Sequence, residues 1–333
     1  MLKQKIEEFC KSLGLDTVGF IPCRPFDELR AFYKVRQEMN LQNEFEEKDI
    51  EKRINPNHYM EDGKTILSIA FPYDHTEEAE HIENGFSIYT KRLDYHRVVK
   101  HYLDEISKYI ESLGGKAIGL VDSNTLPERY IAYLAGVGFI GKNNMLITKK
   151  YGSYVFLGEI ITDLEIPCED KRAFHHVSEY SECGTCTKCL KQCPTKSIHM
   201  NRRNPNICLS YITQKKEISN QEIKLLKGNV FGCDFCQLQC PYNEEIEKNV
   251  LKEFKTLAYM NEEIVTYATM DNKYFKEKIS ATSCGWRGKN VIKRNAIINM
   301  YNNELDISQL KGESSYINDY ISRLIEMKDK ESH

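Results

Sequence analysis

No apolar run in this 333-residue chain approaches the ~20 residues that a membrane-crossing helix needs, so no helical span is expected. Neither sign of charge prevails. With 46 Lys and Arg against 49 Asp and Glu, the net charge is −3, and a polyanion would have to meet a local patch rather than a field over the whole surface. Low-complexity tracts are missing, and no internal repeat is visible beyond a doubled cysteine pattern. The first residues lack the apolar core of a secretion signal: Leu2, Ile6, Phe9 and Leu13 recur at helical spacing, with Lys and Glu between them. A cytoplasmic location is therefore expected. What is present is ordinary for a globular protein, 41% hydrophobic and 29% charged, in a chain long enough for two or three cores. The exception is cysteine. Twelve of them without a leader point to thiolate chemistry in a reducing compartment rather than to disulfides.

Seven of the twelve fall into two runs, and an eighth lies between them. Cys183, Cys186, Cys189 and Cys193-Pro194 form C-x2-C-x2-C-x3-C-P, and Cys233, Cys236 and Cys240-Pro241 form a shorter version, with Cys208 between. Eight thiolates hold two cubane 4Fe–4S clusters. In such runs three cysteines share one cube, and the fourth, before Pro, reaches the other. The spacing thus pairs Cys183, Cys186 and Cys189 with Cys240, and Cys193 with Cys208, Cys233 and Cys236. Two structural zinc sites are the alternative, but zinc ribbons need neither the third cysteine nor the Pro.

Residues 1–165 read as an α/β unit. Strands are expected at Thr17–Ile21, Thr65–Phe71 (stopped by Pro72), Ala117–Asp122 and Tyr154–Thr162. Helices are expected before Gly14, over Phe26–Glu51, over His96–Leu113 with Gly114-Gly115 as its stop, and over Pro127–Leu134 with Pro at its start. A polar segment with the pair His175-His176 reads as a loop or insertion. The cluster region follows, over 166–250, and a charged helical tail occupies 251–333.

Two clusters in series carry electrons one at a time and need an acceptor. Gly136, Gly138 and Gly141 give G-x-G-x-x-G, but after a helix and before a strand, the reverse of the dinucleotide-binding context. Asp122 ends a predicted strand, where α/β ligands bind. It could be a general acid if burial raises its pKa, or it could cap the helix near Pro127. His96 could be a metal ligand or polar packing. Cys10, Cys23, Cys168 and Cys284 are left as small core residues. Arg287, Lys289, Lys293 and Arg294, with no acid from Ile279 to Arg294, suit phosphates or a solvated helix face.

Taken in order, Val121-Asp122, Glu128-Arg129, Ala135–Asn143, Tyr151-Gly-Ser153, Leu157-Gly-Glu159, Thr162-Asp-Leu164, Cys208–Thr213 and Gly232–Gln237 resemble the epoxyqueuosine reductase family over roughly residues 1–300. The resemblance implies an α+β multi-domain fold. A nitroreductase-like α/β domain carries cobalamin, a ferredoxin-like domain holds the two 4Fe–4S clusters, and a small C-terminal α-helical, HEAT-like region makes possible tRNA contacts. It implies an oxidoreductase, related to reductive dehalogenases, that reduces epoxyqueuosine to queuosine at the wobble position of tRNAs for Tyr, His, Asn and Asp. Asp122 would donate the proton. Arg53, Asp122, Arg129, Asn143, Leu146, Leu157 and Ser210 would line the cobalamin. Base-on cobalamin proteins use D-x-H-x-x-G, and Asp94-Tyr-His96-Arg-Val-Val99 lacks the Gly, so base-off cobalamin without a histidine ligand is expected. A monomer served by a flavodoxin or ferredoxin is implied as well. The chain departs from the family in Arg92, where Gly is usual, and in Ser123-Asn-Thr125, where Thr-Gly-Pro is usual; both are expected near the pocket. The rival readings are another cobalamin reductase, disfavoured by the lack of a twin-arginine leader, and a soluble electron-transfer module.

Overall fold

The computed structural model describes residues 1–73, 85–199, 204–248 and 251–331. Its main sheet has four strands, β1 (Val18–Pro22), β2 (Thr65–Pro72), β3 (Ala117–Leu120) and β6 (Val155–Thr162), in the order β1-β2-β6-β3. Every neighbouring pair is antiparallel. The parallel-sheet argument that ligands gather at strand C-termini therefore does not apply here. β2 is buried along its whole length, as its run of Ile, Leu, Ala and Phe requires of a strand covered on both faces. Pro72 does not stop it but forms its last rung, opposite Val155.

One face of the sheet packs on the helices Leu2–Ser12 and Tyr95–Ser112, whose apolar stripe (Val99, Leu103, Ile106, Ile110) meets Leu67, Phe71, Phe156 and Ile160. The other face takes the helix Glu128–Leu134 and the segment before β2, through Ile131, Leu134, Ile54, Ile66 and Ile161. A two-stranded hairpin, β4 (Phe139–Ile140) and β5 (Leu146–Ile147), grows from the glycine-rich stretch. The long helix expected over 26–51 is broken. Helix Arg30–Glu38 ends before Asn40, whose φ of +52° leaves the helical region, and Ile50–Ile54 starts anew under a side-chain cap from Asp49. Around the histidine pair, residues 176–179 form a single helical turn.

The third core ignores the expected boundary at 250. It joins Leu209, Ile212, Ile223 and Phe231 of the cysteine region to the helices Ile264–Thr269, Lys289–Asn302 and Ser315–Glu331. Lys289–Asn302 is its axis, buried from Val291 to Met300. This overturns both readings of the basic stretch. Arg294 is 0% exposed and donates to the carbonyls of Lys215 and Lys216. Lys293 donates to the Met270 carbonyl, Arg287 to the Gln214 carbonyl, and Lys289 pairs with Glu313. These charges satisfy helix and turn ends from within; they do not form a solvated phosphate patch.

Candidate functional site

Asp122 lies two residues beyond β3 in a left-handed conformation, φ +45°. Non-glycine residues adopt this region at a steric cost, so surrounding contacts must hold it there. The helix Glu128–Leu134 has no side-chain cap, which removes the capping alternative for Asp122. Instead Asp122 Oδ2 meets His96 Nε2 at 2.9 Å, and His96 Nδ1 meets Asp94 Oδ1 at 2.8 Å. Asp94 also caps the helix that carries His96. Both ring nitrogens are thus engaged by carboxylates, and the metal-ligand alternative for His96 has no free nitrogen to use.

About half of the Asp122 side chain, 53%, is open. Burial pushes its acid up, but the hydrogen bond and charge of His96, then the Tyr95 hydroxyl and Arg129, outweigh it and hold the carboxyl below its ordinary value. This is the reverse of the shift expected from the sequence. The hydrogen bonds to Asp122 and Asp94 push His96 up to about 9. At neutral pH the proton of this pair therefore rests on the imidazole.

The proposed cofactor residues divide. Val155 and Leu157 lie on β6, an inner strand, yet remain half-exposed on the face that carries Ile66 and Ile161. Both lie beyond the last rung to β3, which pairs only with Glu159–Thr162, so β6 is open on that side and leaves an apolar surface next to the Asp122 turn that suits a broad flat ligand. Leu146, on β5, belongs to the same cluster but is buried. Arg129 is exposed and donates to the Asn144 carbonyl at 2.9 Å. Asn143 shapes its own turn by accepting from Met145 N–H and donates to the Cys236 carbonyl at 3.3 Å, tying this loop to the cysteine region. Ser210 is half-buried, two residues after Cys208. Arg53 is spent otherwise: it pairs with Glu46 at 3.0 Å and stacks over Tyr33 at 4.1 Å.

Arg92 does not reach this surface. It is 1% exposed and donates to the carbonyls of Phe254 and Ile88, so this departure from the family pattern is internal structure. Asn124 and Thr125 anchor the Asp122 turn, Asn124 to Glu128 Oε1 at 2.7 Å and Thr125 to the Lys52 carbonyl at 2.7 Å and the Tyr59 hydroxyl.

The thiols fall into two neighbourhoods. Cys189 feels Cys183, Cys240 and Cys186, and Cys240 feels Cys183 and Cys186. Cys233 feels Cys208 and Cys193, and Cys236 feels Cys233 and Cys208 first and, more weakly, Cys189 of the other group. Among the described residues no three His, Cys, Asp or Glu side chains are drawn together to hold a single metal ion. Lys142, 6% exposed, donates to the carbonyls of Gly184 (2.6 Å) and Cys186 (2.9 Å), a cation set against a loop that would carry an anionic cluster. Of the other cysteines, Cys10 and Cys284 are buried in cores and Cys23 and Cys168 are half-buried.

Sequence reasoning weighed His96 only as a metal ligand or as polar packing, and gave Asp94, Tyr95, Glu128 and Glu159 no role of their own. The signals were there, in Asp94-Tyr-His96, Glu128-Arg129 and Leu157-Gly-Glu159, but only the folded sheet brings them to one place.

Residues 182–243 match a family model described as "4Fe-4S double cluster binding domain", and residues 53–123 one described as "Epoxyqueuosine reductase QueG, DUF1730". The chain is 35% identical over 306 residues to an epoxyqueuosine reductase of Lactococcus garvieae, covering 89% of this chain and 85% of that protein. Among solved structures it resembles an epoxyqueuosine reductase with an epoxyqueuosine-modified tRNA-Tyr stem loop (TM-score 0.87, 30% identity, 97% of this chain and 89% of that one). It also resembles the Bacillus subtilis epoxyqueuosine reductase solved with its aspartate-bearing catalytic loop swung out of the active site (TM-score 0.85, 29% identity, 97% and 89%).

The carboxylate–imidazole pair predicts a displaced titration. In nuclear magnetic resonance of protein with 15N-labelled histidine, His96 is expected to lose its proton near pH 9 rather than at its ordinary 6.5. Asp122→Asn should move it back down, because the carboxylate that does most to raise it is gone. A wild-type His96 titrating at the ordinary value would contradict the pairing.

Proposed function

The chain belongs to the epoxyqueuosine reductase family, and we propose that it reduces epoxyqueuosine to queuosine at the wobble position of tRNAs for Tyr, His, Asn and Asp. The observation that carries this reading is the Asp122–His96 pair at the edge of an apolar surface, in a chain with a double 4Fe–4S cluster binding domain. Opening an epoxide to leave an alkene and water takes two electrons and two protons. When bound, the two clusters would supply electrons singly, and cobalamin would supply a reduced cobalt as donor to the substrate.

The residues fit such a cofactor. Leu157 and Val155 offer an apolar floor, with Leu146 packed in the same cluster, and Asn143, Arg129 and Ser210 are proposed as the polar groups around it. Arg53 is proposed to support this wall through Glu46 rather than to touch the ligand. With both nitrogens of His96 bonded to carboxylates, the reading is base-off cobalamin without a histidine ligand.

Asp122 is the proposed catalytic acid. The proton held on His96 Nε2 passes to Asp122 Oδ2, 2.9 Å away, and from there to the departing oxygen. Asp94 holds the opposite nitrogen, fixing the ring's orientation. The turn 121–125 is proposed to have inward and outward positions; the Bacillus subtilis relative was solved with its aspartate-bearing catalytic loop swung out of the active site.

Cys183, Cys186 and Cys189 with Cys240 are proposed to hold one cluster, and Cys193, Cys208, Cys233 and Cys236 the other. The second adjoins the apolar surface through the Asn143 contact to Cys236 and the nearness of Ser210 to Cys208. The first is the proposed entry point for a flavodoxin or ferredoxin. The region to about residue 165 is read as the cofactor domain and the chain from 166 as the cluster domain, which shares a core with the C-terminal helices where tRNA contacts are proposed. Among the described residues no helix is long and apolar enough to cross a membrane; a cytoplasmic monomer is proposed.

Asp122→Asn should keep iron and cobalamin at wild-type content while anaerobic turnover of epoxyqueuosine-tRNA falls by about 10²–10⁴-fold, the range for loss of a general acid. Undiminished turnover would mean that the proton comes from elsewhere. Cys240→Ala should lower bound iron from about eight to about four per chain, although Cys240 is distant in sequence from the other three ligands of its cube. Iron unchanged at about eight would refute the pairing.

A further inference from the structure

Glu128 and Glu159 have no part in the proton delivery described above, yet both are built against it. Glu159 projects from β6 on the face of Leu157, between Ser68 of β2 and Leu120 of β3. It is 0% exposed. Ser68 Oγ donates to its Oε1 at 3.2 Å, while its Oε2 is fully buried with no hydrogen-bond partner among the described residues. Glu128 opens the helix below the Asp122 turn. Its Oε1 accepts both the Asp122 backbone N–H, at 2.6 Å, and Asn124 Nδ2, at 2.7 Å.

We infer that Glu128 and Glu159 are positioning residues for Asp122: Glu159 is a neutral acid whose proton is given to Glu128, and Glu128 clamps the backbone of the Asp122 turn. The inference rests on the role proposed for Asp122, but the readouts below do not require turnover.

Two features of the geometry converge on it. A buried carboxylate with an unsatisfied oxygen is among the least favourable groups a sheet can hold; a proton on Glu159 removes the charge and provides the missing hydrogen bond. The left-handed backbone of Asp122 needs an external anchor, and its own N–H is what Glu128 grips. The order of ionisation also agrees. Burial, then the Glu128 charge, hold the Glu159 acid well above the ordinary carboxyl range. Burial, then the Asp122 charge, push Glu128 up to about 7. Glu128 thus ionises first, and Glu159 keeps its proton to donate. The other charged and titratable groups around the pair are Arg129 on Glu128's own helix and Asp122 in the turn. Facing Asp122 stand Tyr95 and His96, with Asp94 behind, on the helix Tyr95–Ser112. Ionised Glu128 is the stronger acceptor, so the clamp tightens as pH rises through about 7 and loosens as it falls.

Two measurements on cluster-loaded protein test this. Infrared spectroscopy at mildly alkaline pH should show a protonated carboxylic acid in the wild type that disappears in Glu159→Gln. Its absence from the wild type, or its survival in Glu159→Gln, would overturn the neutral acid. Hydrogen exchange read on the peptide spanning residues 121–128, corrected for intrinsic rate, reports the clamp. The Asp122 amide should exchange about tenfold faster in Glu128→Ala, the loss of one charge-assisted bond. Glu159→Gln, which retains a neutral donor, should stay near wild type, whereas Glu159→Ala should exchange faster. The pH step near 7 should vanish in Glu128→Gln. Wild-type exchange in Glu128→Ala would overturn the clamp while leaving the reductase reading intact. Should Glu159→Ala fail to fold, Glu159→Gln and the infrared band still decide.

Discussion

A single contact, 2.9 Å between His96 Nε2 and Asp122 Oδ2, depends on parts of the chain that have no other reason to meet. His96 begins the helix on one face of the sheet, and Asp122 sits on the turn leading to the helix on the other. The sheet edge at β3 is what brings the two ends together. The partners move each other's proton affinity in opposite directions, Asp122 down and His96 up to about 9. One proton is therefore kept on this pair at neutral pH, next to a carboxylate able to pass it on. A lone buried aspartate would keep its proton by desolvation alone; here a histidine holds it in reserve.

The C-terminal core serves the same contact from a distance. The strap from Gly85 to Asp94 is bound to it at several points. Val230 N–H meets the Gly85 carbonyl, Ser87 N–H meets Phe231, Asp234 accepts from Ser87 Oγ and Ile88 N–H, and Asp94 N–H meets Ala281. Arg92 locks the strap to Phe254 from inside. Because the strap runs straight into the helix of His96, the packing of cysteine region and C-terminal helices fixes where the imidazole stands. The same core lies behind Cys208 and Cys233, so cluster ligands and proton donor share one scaffold.

Much of this was legible in the sequence. The cysteine spacing stated the cluster chemistry outright, since thiolate geometry leaves few other uses for it. The four main strands were visible as short apolar runs, and Asp122 stood out at the end of one. What the sequence hid was directional. Nothing local shows that all the strand pairs are antiparallel, that Phe26–Glu51 breaks at a left-handed Asn40, or that Arg294 and Lys293 point inward to carbonyls. A basic run reads the same whether its ends meet phosphate or backbone. The sign of the Asp122 shift was hidden for a similar reason: burial was foreseeable, but the imidazole that outweighs it is 26 positions away in sequence.

The most direct test of the account is anaerobic single turnover of the cluster-loaded protein, given cobalamin, a strong reductant and tRNA bearing epoxyqueuosine, with the nucleosides read by mass spectrometry. The account predicts loss of one oxygen from the modified nucleoside, dependent on added cobalamin. An unchanged nucleoside, with clusters intact and cobalamin bound, would contradict it.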